Sequence, residues 1–408
     1  MQGFARRHTV KAALAWLDAQ LHPLDAEDVP LHAAAGRVLA CPVVSDVDVP
    51  GFDRATMDGY AVVADSTEGA TAYNRIPLKV IGDALPGSPY ALSLSHGEAI
   101  RIMTGAPIPS GSDAVLPAEF VESGRGASSD APGDIFAISS VSPGKNIGLR
   151  GEDIVRGTEL LDGRRRLRPQ DLGVMSSIGL SHATVLRRPR VRLVITGNEL
   201  LPTGTPPHDF QITDANGPML AALAERDGAI VDFPGLVHDD ADAIRAALYT
   251  DADIVIVSGG SSVGVEDLAP SLVAAHGELA VHGIAMRPSS PTGMGRIGER
   301  LVFLLPGNPV SALCAYDFFA GRAIRVLGGR SKDWPYRSVH GRLARKISSP
   351  IGRLDYARVR FDNGVLEPLS VSGASVLSST TRADGFVIVD EDSEGYAAGS
   401  EVIVWLYA

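Results

Sequence analysis

Residues 191–199 read VRLVITGNE, an apolar run rich in β-branched side chains that ends in a glycine turn and a carboxylate. Such a run is typical of a strand buried on both faces of a parallel sheet. A helical pattern follows at residues 214–227, where Asn216 is a candidate N-cap and Pro218 stands in the first turn. A strand followed by a helix predicts the first unit of an α/β domain.

The same alternation continues up to residue 327. Further strands are predicted at residues 230–237, 254–257, 280–285 and 301–305, and helices at residues 240–249, 265–275 and 309–327. Right-handed crossovers between such strands give a mostly parallel sheet with helices on both faces. We therefore predict a three-layer α/β/α domain in the middle of the chain.

The regions on either side of this α/β domain have a different sequence pattern. A helix is predicted at residues 9–21, with Thr9 as its cap, and another at residues 170–178. Between residues 42 and 161, short β-type runs alternate with glycine and proline turns, which predicts a β-rich module. A C-terminal antiparallel barrel or sandwich is predicted from β-type runs at residues 356–361, 365–371, 386–389 and 402–406.

Composition narrows the functional classes. The net charge of −11 disfavours a nucleic-acid partner or an anionic membrane surface. No apolar stretch approaches the roughly 20 residues needed to span a bilayer. The two cysteines, Cys41 and Cys314, are far apart and in apolar settings, which predicts buried, unreactive thiols and a reducing compartment. We expect a cytoplasmic protein without a membrane segment.

Three predicted strands end in unusual loops, and parallel sheets bind ligands beyond the carboxyl ends of their strands. The loops are residues 196–199 (TGNE), 258–264 (SGGSSVG) and 305–312 (LPGNPVSA). Glycines let backbone N–H groups approach a ligand, and a helix N-terminus adds partial positive charge. Glu199 and Asp267 follow strand ends, where they could share Mg²⁺ with ligand phosphates. A tight turn or a helix cap accounts equally well for any one of these features alone.

Two stretches rich in polar and turn-forming residues lie in the N-terminal half. Residues 52–62 read FDRATMDGYAV, and residues 101–115 read RIMTGAPIPSGSDAV. Turn formation alone would account for both stretches. Their side chains, Asp58 and Thr104 among them, have no functional role that the residue pattern alone establishes.

Taken together, these stretches resemble the molybdopterin molybdenumtransferase family, which is related to the gephyrin E domain. Seven segments carry the resemblance in order along the chain: residues 55–62, 101–119, 150–154, 196–200, 212–220, 258–264 and 305–312. The family inserts molybdate into adenylated molybdopterin with magnesium and releases AMP. The resemblance implies that reaction here, together with a homodimer whose cleft is shared between subunits. It also implies contacts with an adenylyltransferase partner and with acceptor molybdoenzymes.

The resemblance further implies a multidomain α/β plus β fold of four units. These are an elongated dimerisation unit (residues 1–45 with 140–180), an inserted β-rich unit (46–139), the α/β unit (181–330) and a C-terminal barrel-like unit (331–408). Its motifs imply catalytic acids at Asp58, Asp153, Glu199, Asp267 and one of the pair Asp239 and Asp240, of which Glu199 and Asp267 bind metal. They imply substrate contacts at Thr104, Thr196, Gly197, Asp214, Asn216, Ser258, Gly259, Gly260, Ser262, Gly264, Arg287, Ser290, Pro306, Gly307, Asn308 and Pro309.

The chain departs from the family pattern at the expected oxyanion site. The family carries Lys-Pro-Gly-Lys-Pro where residues 287–291 read RPSSP, so Arg287 replaces one lysine and neutral Ser290 the other. Gly148 stands where the family has arginine. Fewer cations weaken attraction for molybdate. Two alternatives therefore stay open: a non-catalytic or altered-specificity cofactor-binding protein, and a molybdopterin adenylyltransferase.

Overall fold

The structure is a computed structural model that describes residues 7–123, 133–259, 268–370 and 375–407. It has the predicted multidomain α/β plus β fold. The longer helices are Val10–Gln20, Pro169–Ser177, Asn216–Asp227, Ala241–Leu248, Leu268–His276, Pro309–Ala315 and Gly321–Leu327. Shorter helical turns are Leu31–Ala33, Ala64–Thr67, Ala118–Phe120 and Ser378–Thr381.

A seven-stranded sheet forms the centre of the α/β unit. Its order is Ile230–Asp232, Arg190–Thr196, Ile254–Ser258, Arg300–Leu305, Gly293–Ile297 and Glu278–His282, with Leu236–Val237 also paired to Arg190–Thr196. Pairings are parallel up to Arg300–Leu305 and antiparallel for the last two strands. The mostly parallel sheet is confirmed.

Side chains of the central strands alternate between two cores, as a period of two requires. Leu193 and Ile256 pack on one face with the helices Asn216–Asp227 and Pro309–Ala315. Val194 packs on the other face with the helices Ala241–Leu248 and Leu268–His276. The three layers are thus helix, sheet and helix.

Several element predictions for this unit were wrong in detail. The strand predicted at residues 230–237 is broken because Pro234 and Gly235, which has a φ of 102°, turn the chain between two short strands. The predicted strand at residues 280–285 begins at Glu278 and ends at His282. The strand Gly293–Ile297 was not predicted because its glycines resemble a turn. Gly295 is required there, since a Cβ would lie 2.0 Å from the Glu278 carbonyl oxygen.

The N-terminal half pairs early and late segments. Ala26–Pro30 pairs with His182–Leu186, Val43–Val44 with Glu159–Leu161, and Arg54–Ala55 with Ile147–Gly148. A six-stranded sheet lies between these segments in sequence. Its order is Ala114–Pro117, Gly59–Val62, Glu98–Ile102, Ile76–Ala84, Asp134–Ala137 and Val121–Ser123.

The C-terminal strands close into a barrel. Arg337–Leu343, Leu354–Asp362, Val365–Ser370, Gly385–Val389 and Glu401–Leu406 form a ring of pairings. Two short pairings attach to it: Met286–Arg287 with the start of Leu354–Asp362, and Ile347–Ser348 with Gly395–Tyr396. The pairing of Met286–Arg287 is therefore one contact between the α/β unit and the barrel.

One hydrophobic core crosses three parts of the chain. Leu17 of the first helix, Phe303 of the central sheet and Phe386 of the barrel belong to the same buried cluster. Cys314 is buried in this cluster, and burial raises the pKa of its thiol. Cys41 is exposed, so its predicted burial was wrong, because its apolar sequence neighbours lie on a surface turn.

No helix in the described part of the chain is both long and apolar enough to cross a membrane.

Candidate functional site

A cleft of about 530 Å³ opens at the carboxyl ends of three parallel strands. The ends are aligned because Ser258 pairs in register with Ile195 on one side and with Leu305 on the other. The loops that follow these strands form the walls. Residues lining the cleft that were predicted from sequence are Thr196, Gly197, Glu199, Asp214, Asn216, Asp239, Ser258, Gly259, Pro306, Gly307, Asn308 and Pro309.

Asn216 connects two of these loops. Its amide Nδ2 donates to Ser258 Oγ at 2.9 Å and to the Gly307 carbonyl oxygen at 2.8 Å. Since a carbonyl oxygen only accepts, these bonds fix the orientation of the amide. Oδ1 is buried and has no hydrogen-bond partner among the described residues. Asn216 is the first helical residue and not the N-cap predicted from sequence.

Asp214 stabilises the start of the same helix. Its Oδ1 accepts from the Gly217 N–H at 2.9 Å, and the side chain is buried. Gly217 permits this close packing, because a Cβ there would lie 2.3 Å from Asp214 Oδ2 and 2.4 Å from the Phe233 ring. Asp214 therefore has a structural role as well as a position in the cleft.

The neighbouring acids Asp239 and Asp240 have different surroundings. The Thr196 hydroxyl donates to Asp239 Oδ1 at 2.8 Å, which holds this carboxylate in the cleft. Asp240 is the N-cap of the Ala241–Leu248 helix and accepts from the backbone N–H groups of residues 242 and 243. Asp239 is thus the member of the pair that faces the cleft.

Gly259 brings two loops into close contact. Its φ is 105°, and a Cβ would lie 1.9 Å from the Thr196 carbonyl oxygen. Glycine is therefore the residue that fits this turn. Four predicted site residues that follow it, Gly260, Ser262, Gly264 and Asp267, lie outside the described residues.

Three predicted site residues are in the N-terminal half and do not line the cleft. The backbone N–H and the hydroxyl of Thr104 both donate to Asp58 Oδ1 at 2.7 Å. These two bonds lower the pKa of Asp58. Asp153 is exposed, and its N–H donates to the Val49 carbonyl oxygen.

In the expected oxyanion loop, residues 287–291, the charged side chain contacts another part of the protein. Arg287 forms a bidentate ion pair with the carboxylate of Asp355 in the barrel, with Nε 3.0 Å from Oδ1. Asp355 is fully buried. Ser290 does not line the cleft, and its buried Oγ has no partner in the described structure. The neighbouring Pro291 does line the cleft.

The charged side chains that line the described cleft are all acidic. Glu199, Asp214 and Asp239 are all acids, and no lysine or arginine is among the described residues that line it. An anionic ligand therefore needs N–H donors, a metal ion or cations from elsewhere.

Sequence reasoning missed several lining residues, namely Ile195, Leu200, Ile212, Thr213, Ala215, Pro291 and Ser375. Leu200 and Ile212 could have been identified from their position next to the motifs. Ser375 comes from the C-terminal unit, and no pattern near it indicates a contact with residues of the α/β unit.

Three family descriptions match the chain. Residues 8–179 match the MoeA N-terminal region (domain I and II), residues 192–325 the probable molybdopterin binding domain, and residues 340–407 the MoeA C-terminal region (domain IV). A molybdopterin molybdenumtransferase 2 of Mycobacterium tuberculosis is 36% identical over 390 residues, covering 92% of this chain and 94% of the relative. The chain belongs to the molybdopterin molybdenumtransferase family.

Other members of the molybdopterin molybdenumtransferase family are similar to this chain over nearly its whole length. The Haemophilus influenzae molybdopterin molybdenumtransferase is 31% identical over 394 residues, covering 94% of each chain. A crystal structure of the molybdopterin biosynthesis moea protein from Pyrococcus horikosii is 34% identical, has a TM-score of 0.82 and covers 98% of this chain and 99% of its own. Membership of this family makes the chain a transferase of molybdenum cofactor biosynthesis.

Proposed function

We propose that the protein inserts molybdate into adenylated molybdopterin, with Mg²⁺-dependent release of AMP. The observation that carries this proposal is the convergence of three strand-end loops on one cleft, with a polar group of each loop held by a hydrogen bond: the Thr196 hydroxyl, the Ser258 hydroxyl and the Gly307 carbonyl. Family membership supports the reaction class. The roles of individual residues are part of the proposal.

The donor set of the cleft suits Mg²⁺. Magnesium in phosphoryl sites takes one or two protein carboxylates and completes its shell with water and substrate oxygens. Glu199 is exposed at the cleft, and Asp239 has one carboxylate oxygen free of its bond to Thr196. These two side chains would hold the ion. When bound, it would supply positive charge to the phosphoanhydride oxygens.

The protein residues would position the substrate. Thr196 orients Asp239, and Asn216 fixes the spacing between the Ser258 and Gly307 loops. The unpartnered Asn216 Oδ1 would accept a hydrogen bond from an N–H group, which the pterin ring offers and a phosphate does not. The phosphates would meet backbone N–H groups of the glycine-rich loop.

The test is an AMP-release assay with adenylated molybdopterin, Mg²⁺ and molybdate. We expect turnover that EDTA abolishes and that Glu199→Gln reduces by about 10²-fold or more. Glu299→Gln, which removes an exposed carboxylate outside the cleft, is the matched control and keeps wild-type activity. Absence of turnover at millimolar molybdate, despite tight binding of the adenylated substrate, would refute the transferase reaction.

One observation favours a second candidate, a protein that binds the cofactor without catalysis. The described cleft lining holds no cation, and Arg287 pairs with Asp355 of the barrel instead of lining the cleft. Binding of the finished cofactor without AMP release would identify this function. AMP-forming turnover from free molybdopterin and ATP would instead identify the adenylyltransferase, which no feature of the cleft favours.

Replacing Ser290 with lysine tests the charge argument directly. The variant restores the cation that the family carries in this loop, next to Pro291 of the cleft. We expect Ser290→Lys to lower the apparent KM for molybdate several-fold, because a nearby ammonium attracts the dianion. An unchanged molybdate dependence would show that position 290 does not face the oxyanion.

We also propose a cytoplasmic homodimer in which the Asp58, Thr104 and Asp153 region of one subunit completes the cleft of the other. This arrangement would bring those residues, which lie away from the cleft within one chain, to the substrate. The adenylyltransferase would deliver the substrate and a molybdoenzyme would accept the product. Sedimentation velocity tests the dimer, and a monomer at micromolar concentration would refute it.

A further inference from the structure

Arg54 lies directly across a strand pair from Gly148, the residue that stands where the family pattern has arginine. The strands Arg54–Ala55 and Ile147–Gly148 are antiparallel, and their register pairs residue 54 with residue 148. Side chains directly opposite each other in such a pair project from the same face, about 5 Å apart. Arg54 therefore brings a cation to the face from which a side chain at position 148 would project.

Glu152 occupies the space that a side chain at position 148 would fill. A Cβ on Gly148 would lie 2.9 Å from each carboxylate oxygen of Glu152. The same carboxylate accepts a hydrogen bond from Arg54 Nη2 at 2.7 Å. The contact with Glu152 thus holds the guanidinium of Arg54 beside Gly148.

The Arg54–Ala55 strand also lies next to residues that the sequence predicted to be functional. Ala55 exchanges backbone hydrogen bonds of 2.8 and 3.0 Å with the two residues that follow Thr104. Thr104 in turn donates two hydrogen bonds to the carboxylate of Asp58. The strand is therefore placed between the turn that begins at Thr104 and the segment 147–153, which are separate in sequence.

The ion pair of Arg54 leaves most of its guanidinium available to a ligand. The side chains of Arg54 and Glu152 are 44% and 38% exposed, and an exposed pair contributes little stability. A guanidinium has five N–H donors, and one of those of Arg54 has a hydrogen-bond partner among the described residues.

Arg287 differs from Arg54 in the burial of its partner. The carboxylate of Asp355 is fully buried and accepts two hydrogen bonds from Arg287. Moving Arg287 to an anion would take a partner from a buried charge, which is costly. Moving Arg54 would leave Glu152 in contact with water. Of these two arginines, Arg54 is therefore the one that can exchange its carboxylate for a ligand.

We propose that Arg54 binds a tetrahedral oxyanion of the reaction and replaces, from across the strand pair, the cation that position 148 lacks. The inference rests on the proposed function, in which the region of Asp58, Thr104 and Asp153 completes the cleft of the other subunit. In that arrangement Arg54 supplies a cation to a cleft whose described lining has none. The oxyanion is molybdate or the phosphate of the adenylated substrate, since a guanidinium fork suits both.

Steady-state AMP release by the full chain tests the proposal, with the apparent KM measured separately for molybdate and for the adenylated substrate. We expect Arg54→Ala to raise one of the two about tenfold or more, because a charge-assisted hydrogen bond is lost, while kcat changes less. A higher KM for molybdate identifies molybdate as the ligand, and a higher KM for the adenylated substrate identifies its phosphate. Arg54→Lys keeps the charge without the planar fork, so its KM should be intermediate.

Arg75→Ala is the matched control. Arg75 lies in the same half of the chain and forms an ion pair with Glu122 that is also 2.7 Å long and similarly exposed. Removing Arg75 changes the net charge by the same amount as removing Arg54, so both KM values should stay at the wild-type level. Equal effects of Arg54→Ala and Arg75→Ala would show general attraction of an anion and would overturn the proposal.

Moving the arginine to the other strand tests the cross-strand argument. In Arg54→Ala with Gly148→Arg, the cation returns to the same face, and the flexible end of Glu152 can move aside. We expect this double variant to recover most of the lost affinity. Arg54→Ala with Ser140→Arg restores the charge at an exposed position outside this strand pair and should recover none.

Three further results would contradict the proposal. Unchanged KM values in Arg54→Ala, with normal wild-type turnover, would show that Arg54 binds no oxyanion. Equal rescue by Ser140→Arg and Gly148→Arg would reduce the effect to net charge. A tenfold effect of Arg150→Ala alone would assign the ligand to Arg150, whose Nε donates to Asp48.

Folding and the reaction itself are checked separately. Thermal unfolding of each variant should match wild type. If Gly148→Arg prevents folding, Arg54→Lys decides the outcome, since a KM as high as that of Arg54→Ala would show that the charge of residue 54 is not used. Absence of turnover in the wild type would refute the proposed function, whereas wild-type turnover with an unaffected Arg54→Ala variant would refute the role of Arg54 alone.

Discussion

Gly259 has a backbone conformation and a near neighbour that together exclude other residues. Its φ of 105° lies in the region that glycine adopts without strain, and the Thr196 carbonyl oxygen fills the place of a Cβ. Gly307, on the adjacent loop, differs. A Cβ there would lie 3.7 Å from the Gly259 Cα, an ordinary contact distance. The two glycines therefore have different tolerance to alanine.

We predict that Gly259→Ala lowers the free energy of unfolding by about 2 kcal/mol or more, from backbone strain and the clash with Thr196. It should also weaken binding of the adenylated substrate, because the two loops must separate. Gly307→Ala is the matched control and should unfold at the wild-type temperature. Thermal unfolding monitored by circular dichroism makes the comparison, and equal stability of the two variants would contradict the prediction.

Asn216 allows a second prediction at this scale. In Asn216→Asp, a carboxylate oxygen replaces the amide that donates to the Gly307 carbonyl oxygen at 2.8 Å. Two acceptors then face each other, which should cost about 1–3 kcal/mol of unfolding free energy. Asn308→Asp changes an exposed amide of the same cleft and should cost little. Urea unfolding of both variants distinguishes a specific effect from added charge.

The residues of the strand-end loops could be predicted as a group because adjacent parallel strands end at one edge of a sheet. Thr196, Ser258 and Gly307 needed only that rule. The pairing of Arg287 with Asp355 could not be predicted, because the carboxylate is 68 residues further along the chain and belongs to another unit. Contacts of this kind depend on how units pack, and a local pattern does not record them.

At the scale of elements, the long helix predicted at residues 309–327 contains a π-helical turn. Tyr316–Ala320 interrupts the α-helix between Pro309–Ala315 and Gly321–Leu327. Asp317 in this turn is fully buried and accepts hydrogen bonds from Tyr336 at 2.8 Å and Tyr356 at 3.2 Å. Periodicity predicted the helix correctly but not the turn, because one extra residue per turn hardly alters an apolar pattern.

Asp317 should make stability depend on pH. Burial raises the pKa of Asp317 to about 6, although the charge of Arg226 and the hydrogen bonds from the two tyrosines lower it. The pKa of Asp317 is higher in the folded state than in the unfolded state. Its contribution to the free energy of unfolding is therefore fully present below about pH 4 and is lost as pH rises through 6. The difference amounts to about 3 kcal/mol. Asp227, Cys314 and Arg358 are the other ionisable groups near this network.

We predict that Asp317→Asn removes this dependence. The unfolding free energy of the variant relative to wild type should rise between pH 4 and pH 7, since the variant has no carboxylate to ionise. Urea titrations followed by tryptophan fluorescence at several pH values give the difference. Asp46→Asn, at an exposed carboxylate, serves as the control. A constant difference across this range would show that Asp317 does not titrate there.

At the scale of the whole molecule, the first helix, the α/β unit and the barrel share one hydrophobic core. Leu17, Phe319 and Tyr356 come from the three parts and are all fully buried. Asp18 adds a bidentate ion pair with Arg322, both bonds at 2.6 Å. Sequence patterns predicted each part, but not that one core would join them, since each pattern describes only its own element.

This core predicts coupled unfolding. Leu17→Ala should cost about 2–5 kcal/mol and lower the unfolding temperature reported by tryptophan fluorescence. The inserted β-rich unit has separate cores and contains no tryptophan, so its transition in circular dichroism should not move. Leu92→Ala, at a leucine that is 65% exposed, is the control. A shift of every transition together would show that the whole chain unfolds as one unit.

The shared core also affects how the chain is made. The Val10–Gln20 helix is synthesised well before Phe318 and Phe319, which pack in the same core and follow some 300 residues later. At roughly 5–20 residues per second, the apolar face of this helix waits about 15–60 seconds for its partners. During that interval it is an exposed amphipathic helix on a nascent chain. We therefore expect ribosome-associated chaperones to bind residues 10–20, and Leu14 and Leu17 to determine how strongly.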